Sequence, residues 1–192
     1  VSDAEYTSTA TITVIVNNLN DNSPGFSSSA SFSAAENQTA IGTATATDAD
    51  GEALTFTVSG SELAITSAGV LTFISVPDYE TKSSYSATVT VTDGTNAATQ
   101  EVAVTVLNVN DAPAFSSSAT FSAAENQTSI GSVSVSDPES DALTYSLSGT
   151  DAGSLAISSS GVLSFGSAPN YESKNSYSAN VLAGDGTNTT TQ

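Results

Sequence analysis

The chain has 192 residues and a formal charge of −18, from 20 acids against 2 basic residues, and it contains no histidine, cysteine, methionine or tryptophan. That composition closes off thiol, zinc and iron–sulfur chemistry and both Ser-His-Asp and Cys-His catalysis, and two cations make no patch for nucleic acid or an anionic membrane. No apolar run approaches the ~18 residues of a transmembrane helix and Val1 opens no signal peptide, so any secretion signal or anchor is expected outside these residues. In chain order, Thr11-Ile-Thr-Val-Ile-Val16 alternates apolar with hydroxylated residues and predicts a strand. A polar junction, Asn18-Leu-Asn-Asp-Asn-Ser-Pro24, follows it. Further strands are predicted at 30–34, 41–46, 53–58, 63–66, 70–73, 83–92 and 98–107, separated by turn signals such as Asp50-Gly51, Ser59-Gly60, Ala68-Gly69 and Asp93-Gly94. With 38% apolar residues in a period-two pattern, the chain reads as folded and all-β rather than disordered.

The pattern then repeats. Residues 26–39 return as 115–128, and Ala53-Leu-Thr-Phe56 returns as Ala142-Leu-Thr-Tyr145, a shift of 89 positions. A loop insertion near Thr150-Asp-Ala-Gly-Ser154 raises the shift to 92, so that Gly69–Phe73 matches Gly161–Phe165 and Asp93-Gly-Thr-Asn96 matches Asp185-Gly-Thr-Asn188. Asn18-Leu-Asn-Asp21 aligns with Asn108-Val-Asn-Asp111. Three segments result: 1–22 as the terminal strand and linker of a preceding repeat, 23–111 as a full repeat, and 112–192 as a repeat lacking its last strand. About seven strands in roughly 100 residues suit an immunoglobulin-like sandwich.

The acids fall in register with the repeat. Fourteen of the 20 occupy recurring positions: Asp3, Asp21, Glu36, Asp48, Asp50, Asp78, Glu80, Asp93, Asp111, Glu125, Asp137, Glu139, Glu172 and Asp185. Their motifs are Ala35-Glu36-Asn37, Asp48-Ala-Asp50, Asp78-Tyr-Glu80, the 18–24 junction and the late Asp93. Five such motifs in this order, repeated at about ninety residues, resemble the cadherin repeat in the form used by large bacterial surface proteins. Oxygen-only ligands in this number suit Ca²⁺, which takes six to eight oxygens, better than Mg²⁺ or a soft metal.

The resemblance implies tandem cadherin-like Greek-key β-sandwiches in an extended rod, with Ca²⁺ held between consecutive repeats. The junction within this chain would take Glu36, Asp78 and Glu80 from the first repeat and Asn108, the Val109 carbonyl, Asn110, Asp111 and the Ala112 carbonyl from the linker. Asp137, Glu139 and Asp185 would come from the second repeat. An upstream half-site would hold Asn18, Asn20, Asp21, Asn22, Asp48, Asp50 and Asp93, and a downstream half-site Glu125 and Glu172. At ~4 Å, two like charges repel by about 1 kcal/mol in water and about 4 kcal/mol at an effective dielectric near 20, so acids gathered in this way call for cations. Asn108 and Asn18 stand where the family linker opens with Asp, and Asn170 stands where the first repeat has Asp78.

Other readings of these residues fare worse. Solvated turn acids are the plain alternative, because Asp and Asn favour turns anyway, but chance placement does not repeat in register. Asp48-Ala-Asp-Gly51 is no EF-hand loop, since positions six and twelve are Ala53 and Ser59. A glycosidase would need one protonated carboxylate in a formed cleft. The expected function is therefore non-enzymatic: a calcium-binding extracellular module in cell adhesion, or a calcium-stiffened spacer of a cell-surface protein. Its partners would be adjacent repeats of the same array, neighbouring copies of the chain or another cell surface, with no nucleic acid and no direct membrane insertion. The alternative is a filament subunit assembled head-to-tail by donor-strand exchange, with 11–16 of one chain completing the sandwich of the next.

Overall fold

The computed structural model describes residues 9–192, so Asp3 lies outside the described residues. Contacts divide the chain into two units, one holding residues up to Pro77 with Ser84–Val106, the other Asp78–Ser83 with Leu107–Gln192. The first unit contains β1 (Gly25–Phe26), β2 (Ser31–Ala35), β3 (Ala40–Thr43), β4 (Ala46–Thr47), β5 (Thr55–Val58), β6 (Leu63–Ile65), β7 (Val70–Phe73), β8 (Ser84–Thr92) and β9 (Ala97–Leu107). They form a four-stranded sheet in the order β2-β9-β8-β5, a three-stranded sheet β3-β7-β6, and the short pair β1-β4. β8 runs antiparallel to both β5 and β9, as β7 does to β3 and β6. Alternation along β9 sends Val102, Val104 and Val106 inward at 0–1% exposure, where they meet Leu71, Val89 and Val91. Each such side chain contributes about 1.5–3 kcal/mol on burial.

The predicted strands coincide closely with β2 and β5–β9. The one predicted at 41–46 is divided: Ala40–Thr43 pairs with β7, with a register shift between Ala40 and Gly42, and Ala46–Thr47 pairs with β1. Glycine is required at Gly69, where φ is +87° and a Cβ would lie 2.2 Å from the Ala44 carbonyl oxygen. The largest departure is at 11–16. The segment is in no sheet, and Ile12, Val14 and Val16 are 83%, 78% and 89% exposed. Its alternation makes it competent to be a strand, but a strand exists only with a partner to receive its backbone hydrogen bonds.

The second unit repeats the plan with β10 (Ala114–Phe115), β11 (Ser129–Ser132), β12 (Val135–Ser136), β13 (Thr144–Ser148), β14 (Leu155–Ile157), β15 (Val162–Phe165), β16 (Asn180–Gly184) and β17 (Thr189–Thr191). Its sheets are β11-β15-β14 and β13-β16-β17, with the pair β10-β12. A single 3₁₀ turn, Ala152–Ser154, fills the inserted loop. No counterpart of β2 forms over 120–124 among the described residues, since the only neighbour of β2 in its sheet is β9 and β17 matches just the opening of β9. The core is correspondingly thinner, built around Val133, Leu163 and Val181.

Both units are all-β sandwiches. The edge-to-face pair Phe73–Tyr85, with ring centroids 5.0 Å apart, recurs as Phe165–Tyr177 at 5.0 Å. The packing repeats along with the residues.

Candidate metal centre

In the first unit the polar junction 18–22 is fastened to the turn after β4. Asp50 accepts the backbone N–H groups of Asp21 (3.1 Å) and Asn22 (2.8 Å) and the Asn22 side-chain amide (2.9 Å). The Asn18 amide donates to the Asp50 carbonyl at 3.0 Å. A second clasp comes from the Asp93–Asn96 turn, where the Asn96 amide donates to Asn20 Oδ1 (3.0 Å) and to the Asn22 carbonyl (2.8 Å). Asp93 Oδ1 accepts the N–H groups of Thr95 (2.7 Å) and Asn96 (2.6 Å), closing an Asx turn that aims Asn96 at the junction.

These contacts set the ionisation of the acids. The Asn22 N–H, more than any other contact, holds the Asp50 carboxyl below its ordinary value. Burial pushes Asp93 up, but the N–H groups of Asn96 and Thr95 and the Asn96 amide outweigh it and leave the group lowered. Asp185 is lowered in the same way, burial being overcome by the N–H groups of Asn188 and Thr187 and the Asn110 amide.

Carboxylate oxygens of Asp48, Asp50 and Glu52 lie within 4.8 Å of one another. Asp50 N–H donates to Asp48 Oδ1 at 2.8 Å, yet Asp48 Oδ2 and Glu52 Oε2 are shielded from solvent and receive no hydrogen bond. Shielded, unpaired carboxylate oxygens are costly unless a cation approaches them.

The second unit builds the same device from matching residues. The Asn110 amide donates to Asp185 Oδ2 at 2.9 Å, and the Asn188 amide donates to the Asn110 carbonyl at 3.0 Å. Asp111 N–H donates to Glu139 Oε2 at 3.2 Å, as Asp21 N–H does to Asp50. The Asn108 amide reaches Glu80 Oε1 at 3.2 Å. Oxygens of Glu80, Asp111 and Glu139 lie within 4.8 Å of one another, and Asp137 Oδ2 and Glu139 Oε1 are again shielded and unpaired. Lys174 forms an ion pair with Asp151, which belongs to neither cluster.

Glu36 belongs to the first unit, at the end of β2, and is 2% exposed. Asn37 beside it takes a left-handed φ of +62° and its N–H bonds the Pro77 carbonyl; Asn126 does the same at +60° with Pro169. Asn tolerates that region better than most residues. Asp78 has a local task, since its Oδ1 accepts the Thr81 N–H at 3.0 Å. Asn170 caps the matching turn through Glu172 N–H (2.9 Å) and Ser173 N–H (3.2 Å), so the Asp-to-Asn change leaves the turn intact. Glu125 accepts the Tyr171 N–H at 3.2 Å, and neither it nor Glu172 joins a group of three acids among the described residues. The Val109 and Ala112 carbonyls lie in the irregular segment between β9 and β10.

Two kinds of residue escaped the motif reading. Glu52 completes the first cluster, and its signal was the alternation Asp48-x-Asp50-x-Glu52. Asn96 and Asn188 hold the junctions, and their signal was the repeated Asp-Gly-Thr-Asn, of which only the Asp had been singled out.

The lowered carboxyls give a pH expectation. A folded value below the ordinary 3.8 means that the contribution is complete above about that pH and is lost as pH falls through the folded values. The side-chain amide resonances of Asn96 and Asn188 should therefore hold constant down to about pH 4 and collapse below it. A transition centred above pH 5 would contradict the hydrogen bonds described.

Among solved structures, the chain is similar to a mouse cadherin-23 fragment, EC22-24, at 25% identity and a TM-score of 0.56, covering 90% of this chain and 62% of that one. It is also similar to human protocadherin-24 EC1-2 (22% identity, TM-score 0.59, covering 88% and 92%) and to Drosophila N-cadherin EC1-4 (19%, 0.56, covering 88% and 47%). The chain thus spans less than two thirds of the cadherin-23 fragment. No family model matches the sequence, and no curated protein does. The fold is the immunoglobulin-like β-sandwich of cadherin ectodomain repeats.

Proposed function

We propose that the protein is a calcium-binding extracellular repeat module, acting in cell adhesion or as a calcium-stiffened spacer of a surface protein. The observation that carries this reading is the pair of shielded, unpaired carboxylate oxygens in each unit, Asp48 and Glu52 in one and Asp137 and Glu139 in the other. Each pair adjoins converging acids, and the chain has 2 basic residues to set against 20 acids. Calcium supplies the missing charge and accepts an irregular set of carboxylate, amide and carbonyl oxygens.

In this reading Asp48, Asp50, Glu52 and Asp21 hold one ion set with Asn20, Asn18, Asn22 and Asp93 around it. Glu80, Asp111, Glu139, Asp137 and Asp185 hold the other, with Asn108, Asn110 and the Val109 and Ala112 carbonyls. Glu36 and Asp78 join them on the strength of the motif order alone. Glu125 and Glu172 are the weakest members of the proposed set, lacking a third acid nearby. An extracellular, cell-surface setting is supported by the likeness to cadherin ectodomain repeats. The Ser/Thr-rich, cysteine-free composition favours a bacterial host.

Limited proteolysis of the full chain tests the stiffening role. With calcium, cleavage at Asn108–Pro113 should be slow; with chelator, it should become the first cut while the strands of both units stay protected. Identical cleavage in the two conditions contradicts the role.

A further inference from the structure

Asn-x-Thr, the acceptor pattern for N-linked sugars, occurs at Asn37-Gln-Thr39, Asn126-Gln-Thr128 and Asn188-Thr-Thr190. The fold treats the three differently. Asn37 lies in the turn between β2 and β3, and residues 37–39 are all exposed. The backbone of that turn is held at both ends, by the Asn37 N–H on the Pro77 carbonyl (3.1 Å) and the Phe73 N–H on the Thr39 carbonyl (2.9 Å). In the second unit 126–128 are exposed as well, with the Asn126 N–H on Pro169 (3.0 Å) and the Phe165 N–H on Thr128 (2.8 Å). Asn188 is half-buried, and its amide nitrogen is committed to the Asn110 carbonyl at 3.0 Å.

The plain reading of Asn37 and Asn126 is that asparagine suits a left-handed residue, here at φ +62° and +60°. That explains the asparagine and leaves the threonine without a task. The hydroxyls of Thr39 and Thr128 enter no hydrogen bond among the described residues. Matched hydroxyls at other exposed turns do have work, since Thr66 and Ser158 accept the N–H groups of Val70 (3.1 Å) and Val162 (3.0 Å). An exposed asparagine with an exposed hydroxyl two residues on, in a surface turn held through its backbone, is the arrangement that N-glycosyl transfer reads.

We propose that Asn37 and Asn126 are acceptors for N-linked sugar, one in each repeat, and that Asn188 is not. The transfer joins Asn Nδ2 to the anomeric carbon of a sugar diphosphate carried on a nucleotide or a lipid. The anomeric C–O bond to that diphosphate breaks, the diphosphate leaves with the electron pair, and the amide proton passes to a base of the transferase. The added sugar is bulky and solvated, which an exposed turn accepts and the Asn188–Asn110 contact does not. The acceptor residues are none of the proposed calcium ligands, so this inference does not rest on the calcium reading.

The folded full chain, incubated with a sequon-reading transferase, tests the assignment. One arm supplies a soluble enzyme with a nucleotide-activated hexose and the other a membrane enzyme with a lipid-linked oligosaccharide; the mass added identifies the donor. In at least one arm Asn37 and Asn126 should gain sugar at least tenfold faster than Asn188, as read by peptide mass mapping. Prior unfolding in urea, followed by dilution into the assay, should narrow that difference. Thr39→Ala should abolish addition at Asn37 alone and Thr39→Ser should retain it, both with an unchanged circular dichroism spectrum. Failure of Asn37 to gain sugar in both arms, equal rates at Asn37 and Asn188 in the folded chain, or addition at Asn37 that survives Thr39→Ala would each overturn the proposal.

Discussion

Val104→Asp is expected to unfold the first unit outright. Val104 is 1% exposed in a central strand, with β2 on one side and β8 on the other, and packs in the cluster with Leu71, Val89 and Val102. A carboxylate there has no cation and no donor, and the effective desolvation cost of such a charge is several kcal/mol on top of the lost packing. A domain of this size has about 5–15 kcal/mol of stability in total. Amide protection in β5, β8 and β9 should vanish, while that of β13–β16 in the second unit persists. Val104→Ala, which removes two methyl groups and leaves a cavity, should cost about 2 kcal/mol and leave the unit folded. If the aspartate variant retained native protection in β8 and β9, the assignment of this strand to the core would be wrong.

The second large effect is expected at Asp50. Its carboxylate both belongs to the Asp48–Asp50–Glu52 cluster and accepts hydrogen bonds from Asp21 and Asn22. Asp50→Ala removes a charged oxygen donor and releases the junction that carries Asp21 and Asn20. Calcium affinity of that cluster should fall at least tenfold, and the Asn18 and Asn22 amide resonances should lose their dispersion. Asp50→Asn separates the two roles, since an amide oxygen can still accept a hydrogen bond while the charge is gone. It should keep the junction ordered and still weaken calcium. Glu101→Gln, on the outward face of β9, should change neither. Equal losses from Asp50→Ala and Glu101→Gln would mean that calcium responds to overall charge rather than to this cluster.

Much of this architecture was legible because it depends on local periodicity. The alternation over 84–92 and 97–107 names the inward residues, and those residues are buried. Less legible were features that depend on a distant partner. The pairs β1-β4 and β10-β12 are two residues long and carry no pattern of their own. Residues 11–16 have a strand's pattern but lack the neighbour that would make them one. The break between β3 and β4 depends on two distant partners, β7 for Ala40–Thr43 and β1 for Ala46–Thr47.

The candidate site divides in the same way. Repeated acids were visible as motifs. The roles of Asn96 and Asn188 were not, because each acts on a segment 74 to 78 residues away. Asp78 shows the converse, since a motif position suggested a ligand where the visible task is to cap a turn, a task that Asn170 performs equally well.

The claim at the centre of this account is that the acids in register with the repeat are calcium ligands. Calorimetric titration of calcium into the full chain, after chelator treatment, tests it most directly. Saturable binding of more than one ion per chain is predicted, with one set of sites lost in Asp50→Ala and another in Asp111→Ala, and with magnesium at least tenfold weaker because it demands a tighter octahedral shell. Heat that never saturates, or saturable binding that both variants leave unchanged, would contradict it.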